Sequence, residues 1–326
     1  MNHQISLLNP FTQKPLQQDA HGLLDNGTVV FPYKNGAYRL VADDNYTQNF
    51  GYQWNKFAAT QIDREQKNTQ LSYNRFFAVT GWDKENLQDK NILEVGSGAG
   101  RFSQIVLDDT KANLYSVDYS NAVEANFKNN GHHKERFHLY QASAYELPFA
   151  KAQFDKVFCF GVIQHTPDVQ KTVQSLISMA KPGAEVIVDF YCINGWWTKL
   201  QAKYIFRPIT KKWSNETLLN RIEKNIEWMI AATTFFNKIG IGRFINRFIP
   251  VCDIRGTLPR GLSKQEIREW CILDTFDMFS PEYDQPQKIS TVKKWFEENG
   301  MKQVWGGEVL YDNCVAYVVK GIKKMV

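Results

Sequence analysis

The sequence predicts an α/β protein: a mostly parallel seven-stranded sheet with helices on both faces, a small β-rich N-terminal appendage and a helical lid insertion. Three observations predict it. From Asn91 onward short apolar runs alternate with stretches of helical character, the pattern of βαβ units. The stretch "NILEVGSGAGRF", residues 91–102, passes from a strand through three glycines into a helix. Near the start, two Asn-Gly pairs sit among β-branched and aromatic residues.

Taken in order, residues 1–45 form the appendage. In "DNGTVVFPYKNGAYRLV" the pairs Asn26-Gly27 and Asn35-Gly36 mark tight hairpins, because a type I′ turn needs positive φ at both central residues. An aromatic and polar segment follows, "YTQNFGYQWNKFAATQIDREQKNTQLSYNRFFAVTGW", read as helices and loops leading into the core. "NILEV" is then a strand with a helix from about residue 99, and "NLYSVD" a strand with a helix from about residue 120. "RFHLYQA", "FDKVFCF" and "AEVIVDFY" are three more strands, the last two separated by a helix at about 168–180. Residues 193 to about 260 interrupt the scheme with Trp196, Trp197, Trp213 and Trp228, several Phe and many cations. There Ile222, Ile226, Met229 and Ile230 share one helical face. "TVKKWFEENG" is a helix stopped by Gly300, and "KQVWGGEVL" with "NCVAYVVKGI" pairs as an antiparallel hairpin at the sheet edge. The strand–helix alternation is Rossmann-like, and the main domain runs over residues 46–326.

Composition narrows the function. With 43% hydrophobic and 22% charged residues the chain is an ordinary globular one, and a net charge of +5 permits an anionic substrate. Its cations form no consecutive block, so nucleic acid is not the expected partner. The five cysteines are scattered, with no C-x-x-C pair, which argues against a zinc site or disulfide framework; no metal is expected. The start lacks the pattern of a secretory leader, and no apolar run approaches the roughly 20 residues of a spanning helix, so a soluble cytoplasmic protein is expected.

Which cofactor the glycines hold is decided by their neighbours. A dinucleotide site wants a third glycine where this chain has Arg101. Glu94 would repel a pyrophosphate, yet it suits a cationic group such as the ammonium of S-adenosylmethionine (SAM). Asp118 ends the next strand at a spacing that suits a ribose diol. The plainer readings are a simple tight turn at the glycines, and helix capping by Asp118 or Ser120.

With these residues in place the chain resembles the class I SAM-dependent methyltransferases over about residues 46–321. "LEVGSGAGRF", "VDYS", "QASAYELPF", "FDKVFCFGVIQHTPD" and "KPGAEVIVDFY" look like its successive motifs. Ser143 stands where the third motif usually has Asp, and Ala184 where the fifth usually has Gly. "LDTFDMFSPEYDQP" resembles a segment of a bacterial subgroup often encoded with genes for surface glycans or secondary metabolites. Some of its members begin with a zinc-ribbon-like module before "FGYQW"; the first 45 residues look like that module with its cysteines gone.

The resemblance implies a cofactor-binding set of Glu94, Gly96, Ser97, Gly98, Gly100, Asp118, Tyr119, Ser143, Ala144, Phe160 and Gly161. SAM would be the cofactor and S-adenosylhomocysteine (SAH) the product. His165 follows the fourth strand and has a near-neutral pKa suited to a general base, ahead of Asp277. It otherwise only orders the turn into the helix begun by Pro167 and Asp168. Tyr191, Asp274 and Tyr283 are the candidate substrate-binding residues, with loop capping as the alternative for Asp274 and Tyr283. Arg75 either meets the cofactor carboxylate or is a solvated helix residue.

The expected activity is methyl transfer from SAM to oxygen or nitrogen of a small-molecule or glycan acceptor. The alternatives are a nicotinamide-dependent oxidoreductase on a sugar or small alcohol, and a SAM-binding module without catalysis. The insertion is expected to be a substrate lid; a dimer contact or a surface for a membrane or lipid-linked substrate are the other readings, the last suggested by "FFNKIGIGRFINRF". Acceptor, oligomeric state and the role of residues 1–45 stay open.

Overall fold

The structure is a computed structural model that describes residues 5–42, 44–66, 70–193, 195–258 and 261–325; the first four residues, on which the leader reading bears, and the side chain of Trp196 lie outside it. The appendage is a meander of five strands, β1 (Leu7–Leu8), β2 (Pro15–Gln18), β3 (Gly22–Asp25), β4 (Thr28–Lys34) and β5 (Ala37–Arg39). Both Asn-Gly turns have the positive φ that their hairpins need, 48° and 81° at Asn26 and Gly27, 49° and 82° at Asn35 and Gly36. Helices α1 (Gln48–Lys56) and α2 (Leu71–Thr80) follow.

The alternating region runs β6 (Asn91–Val95), α3 (Arg101–Asp109), β7 (Asn113–Asp118), α4 (Val123–Asn130), β8 (Phe137–Gln141), β9 (Phe154–Phe160), α5 (Val169–Met179) and β10 (Ala180–Phe190). The insertion contributes α6 (Ala202–Thr210), α7 (Asn215–Lys238), α8 (Gly242–Ile245) and α9 (Ile254–Thr257). Then come α10 (Lys264–Phe279), α11 (Ile289–Glu298) and the hairpin β11 (Met301–Tyr311) and β12 (Cys314–Lys323). The seven strands read from the sequence lie side by side in the order β8-β7-β6-β9-β10-β12-β11.

The expectation of a mostly parallel, seven-stranded sheet with a separate appendage needs correction. β5 pairs in parallel with β8, Tyr38 opposite Tyr140, so the described strands form one twelve-stranded mixed sheet. Its centre from β5 to β10 is parallel, and both ends are antiparallel. No local pattern could signal this join, because it pairs segments about a hundred residues apart.

The parallel strands are mostly apolar because both faces are covered. Successive residues point to opposite faces: Leu93, Val95, Val157 and Val186 pack with α5 and α11, while Ile92, Phe158 and Ile187 pack with α2 and α3. A third cluster sets Leu219, Ile222, Ile226 and Met229 of α7 against Trp270, Leu273 and Phe276 of α10. Each such side chain fully buried contributes about 1.5–3 kcal/mol. α10 starts with a reciprocal capping box between Ser263 and Glu266. The insertion is thus tied to the main fold by its own small core.

Candidate active site

β6 is the switch point of the sheet, with β7 on one side and β9 on the other, and a crevice opens beyond the carboxyl ends of these strands. It holds a cavity of about 990 Å³ that runs from the glycine turn to the insertion.

The turn itself is fixed by backbone geometry. Gly96 has φ 84°, and a Cβ there would lie 2.3 Å from the Val162 side chain, so only glycine fits. Asp118 takes the backbone N–H of Gly98 at 2.8 Å on one oxygen, and the N–H and hydroxyl of Ser120 at 2.8 and 2.6 Å on the other. Its carboxylate therefore orders both the turn and the start of the following helical segment, and it lines the cavity. Burial raises its pKa against these hydrogen bonds. Ser97, Tyr119, Ala144, Phe160 and Gly161 also line the cavity. The rings of Tyr119 and Tyr46 lie 5.2 Å apart.

Four expected site residues do not line it, and each has another use. Glu94 is buried and accepts the hydroxyls of Ser103 and Ser116 at 2.5 and 2.8 Å; burial lifts its pKa to about 7 despite both bonds. Gly100 serves helix packing, since a Cβ there would meet Asn126 and Asn130 of α4. The Ser143 hydroxyl accepts the N–H of Tyr145 within its own turn. Tyr283 reaches the site through its carbonyl, while its ring packs edge-on against Tyr46.

Arg75 is not a solvated helix residue: it lines the cavity and is paired. It pairs with Asp189, which the sequence reading missed, at 2.7 and 3.2 Å. Burial alone would lower the pKa of Arg75, and the Asp189 carboxylate reverses that. The other Asp189 oxygen accepts the N–H of Gly161 at 2.5 Å, so one buried ion pair holds the turn after β9. Arg101 lies close by, its guanidinium 4.9 Å from the Phe102 ring that Arg75 faces at 5.3 Å, and donates to Gln61 at 2.7 Å and to Ser72 at 3.1 Å. Its second terminal nitrogen is buried without a protein partner, as is the Ser97 hydroxyl. Burial, and then the charge of Arg75, lowers the pKa of Arg101 to about 10.

The cavity also meets Asp274, which shares Gln61 with Arg101, and His165, Tyr191 and Asp277. His165 sits on a single helical turn after β9, with the rings of Phe50 and Tyr191 at 5.2 and 5.5 Å. Its Nδ1 donates to the Tyr283 carbonyl at 2.9 Å, which leaves the lone pair of the neutral ring on Nε2. Burial lowers its pKa, against the nearby charges of Asp277 and Asp284. The Tyr191 hydroxyl donates to Asp277 at 3.1 Å. Asp274 takes the Gln61 amide at 3.3 Å, and burial and then the Asp277 charge raise its pKa to about 7.

Behind His165 lies a group that no sequence motif signalled. The Asp284 carboxylate, fully enclosed, receives Lys203 Nζ at 2.5 Å and the Arg207 guanidinium, both from α6. Burial would raise its pKa, but Lys203, His165 and Arg207 together hold it below the usual carboxylate range. The Lys203 ammonium also lies 4.2 Å from the Tyr191 ring centre. The arrangement is a glycine cradle with acidic and basic anchors at one end, facing a neutral histidine with a free ring nitrogen at the other.

Residues 93–188, from β6 to β10, match the family model described as a methyltransferase domain. A tRNA U34 carboxymethyltransferase of Campylobacter curvus is 32% identical over 110 residues, which is 33% of this chain and 37% of that protein. A ubiquinone biosynthesis O-methyltransferase of Coxiella burnetii is 29% identical over 131 residues, 38% of this chain and 55% of that one. The chain thus spans between about a third and about half the length of these relatives. Among solved structures, a phosphoethanolamine N-methyltransferase 2 of Haemonchus contortus overlaps with 90% of this chain and 62% of that one, at 12% identity and a TM-score of 0.49.

Proposed function

With residues 93–188 a class I SAM-dependent methyltransferase domain, we propose that the chain carries a methyl group from SAM to a hydroxyl or amine of a small-molecule or glycan acceptor beside His165. The observation that carries this reading is His165 itself: held by a carbonyl on Nδ1, kept neutral by burial, and lining the cavity that contains the glycine turn.

The residues present fit SAM. The buried N–H of Arg101 and the Ser97 hydroxyl are polar atoms without a protein partner, which suits the amino-acid end of such a ligand. Asp118 suits a ribose diol, and the Tyr46 and Tyr119 rings with Ala142 and Ala144 suit an adenine. Bound SAM supplies a methyl group activated by its sulfonium and leaves as SAH. The chain supplies alignment, through the turns that Asp118 and Asp189 hold, and this accounts for most of the acceleration. As an acceptor hydroxyl attacks, its proton passes to Nε2 of His165, while the Tyr283 carbonyl steadies the imidazolium through Nδ1–H. Tyr191 and Asp277 orient the acceptor through their mutual hydrogen bond. No metal is required in this scheme.

The acceptor is not inherited from the relatives, which are named for different reactions, a tRNA U34 carboxymethyltransferase and a ubiquinone biosynthesis O-methyltransferase, and of which this chain covers 37% and 55%. Against a nicotinamide cofactor stands Arg101, buried where a third glycine would permit close packing. The first experiment is calorimetric titration with SAH, with NADH as control, on the wild type and Asp118→Ala. One SAH per chain, silence with NADH, and at least a tenfold loss in the variant support the reading; NADH binding without SAH sinks it. Turnover of labelled SAM on glycans, small alcohols and amines, with tRNA as a separate arm, then separates an enzyme from a binding module.

A further inference from the structure

Helix α6 is built inside out. Its buried positions are Ala202, Lys203, Arg207 and Thr210, while Ile205, Phe206 and Ile209 are 51, 44 and 59% exposed. A helix whose outer face meets only water shows the reverse pattern. The inward cations have a use, since both hold Asp284. The outward apolar side chains have none within the described residues.

They do not stand alone. Of 22 exposed large hydrophobic residues described, 12 fall between Trp197 and Phe248, a concentration far beyond that of scattered surface apolar residues. Phe235, Ile239, Ile241, Phe244, Ile245 and Phe248 form a second group, at the end of α7 and around α8. Both groups flank the same opening. The Arg247 guanidinium lies 5.9 Å from the Trp197 ring centre, and the cavity is lined by Thr198, Lys203 and Tyr204 from one group and by Asn237, Arg243 and Arg247 from the other.

Charge chooses the occupant. Residues 193–260 hold 12 Lys and Arg against 4 Asp and Glu, more net positive charge than the whole chain carries. No acid occurs at 197–215 or 228–252, the stretches that bear the exposed apolar side chains. Lys199, Lys212, Lys238 and Arg243 are exposed among them. A second copy docked by the same face would set cation against cation with no acid to answer. The aliphatic Ile205, Ile209, Ile239 and Ile241 find nothing to bury them on a phosphate backbone. An anionic bilayer answers both features at once.

We propose that this face of the insertion docks on an anionic membrane surface, its Phe, Ile and Trp side chains entering the headgroup boundary and its cations meeting lipid phosphates. The cavity mouth then opens toward the bilayer, and an amphiphilic acceptor enters from the lipid side. That consequence rests on the methyl-transfer reading; the docking does not.

The test is flotation of the full chain with phosphatidylcholine vesicles with and without phosphatidylglycerol. The expected result is association that needs the anionic lipid. It should fall roughly tenfold or more in Phe235→Ser/Phe244→Ser, in Ile205→Ser/Ile209→Ser and in Lys212→Gln/Lys238→Gln. Unchanged melting and SAH titration in the same variants show that they fold and separate this result from any failure of the cofactor reading. No association with anionic vesicles, or association that the apolar substitutions leave intact, overturns the proposal. So does a dimer in sedimentation velocity, or RNA retention, that these substitutions abolish while vesicle binding stays absent.

Discussion

Beside the glycine turn the cavity wall is largely backbone, and two carboxylates hold it: Asp118 on the Gly98 and Ser120 amides, Asp189 on the Gly161 amide. Beside the insertion the wall is side chain, with His165, Tyr191, Lys203 and Asp277 drawn from well-separated stretches. A backbone wall fits one ligand shape and survives changes in most side chains around it. A side-chain wall is rewritten one residue at a time without disturbing the sheet.

The contrast is broken most sharply at His165. His165→Ala should lower kcat on a hydroxyl acceptor by about 10²–10⁴-fold and leave SAH affinity within a factor of two or so. Its pKa is depressed, so the neutral base persists below the ordinary histidine value; the rate should stay flat down to about pH 6.5 and fall only at lower pH. Parallel loss of SAH binding would mean that the two ends are not separable. Next in size is Asp284→Ala, which leaves Lys203 and Arg207 buried without their counter-ion. Denaturant melts should show a loss of about 3–5 kcal/mol; a change under 1 kcal/mol would mean that water reaches both cations.

At the backbone wall, Gly96→Ala meets Val162 and a left-handed φ together, for a cost of about 1–3 kcal/mol with weakened SAH binding. Adding Val162→Ala should recover only part, because the φ penalty remains. The smallest effect belongs to Glu94→Gln. Its carboxyl titrates near 7 in the fold against an ordinary value near 4.5, so the stability it lends is complete at low pH and is lost as pH rises through 7. The variant and wild type should melt together at pH 4, below both values, and the variant a few degrees higher at pH 8.

Most of the first wall was legible in the sequence. "NILEVGSGAGRF" and "VDYS" carry strand, turn, acid and helix within one local pattern, and the turns at Asn26 and Asn35 were equally local. What escaped was non-local. Asp189 reads as part of a strand, and nothing near it tells that Arg75 will cross 114 residues to meet it. Lys203 and Arg207 lie inside the insertion and Asp284 beyond it, so the packing of the insertion decides their meeting. Glu94 is half accounted for: Ser103 and Ser116 donate to one carboxylate oxygen, and the other is buried without a protein partner.

The join between β5 and β8 bears on solubility during folding. Without it β8 would present a bare row of amide and carbonyl groups along an apolar strand, a template for pairing with another chain. The meander covers that row and hands the exposed edge to β1, only two residues long, beside a β2 that begins with proline. Tyr38 and Arg39 pair with Tyr140 and Gln141 across about a hundred residues, so this protection depends on a long-range contact whose loop closure is slow. Shortening the chain from its N-terminal side should therefore show itself first as aggregation on refolding, before any loss at the cofactor end.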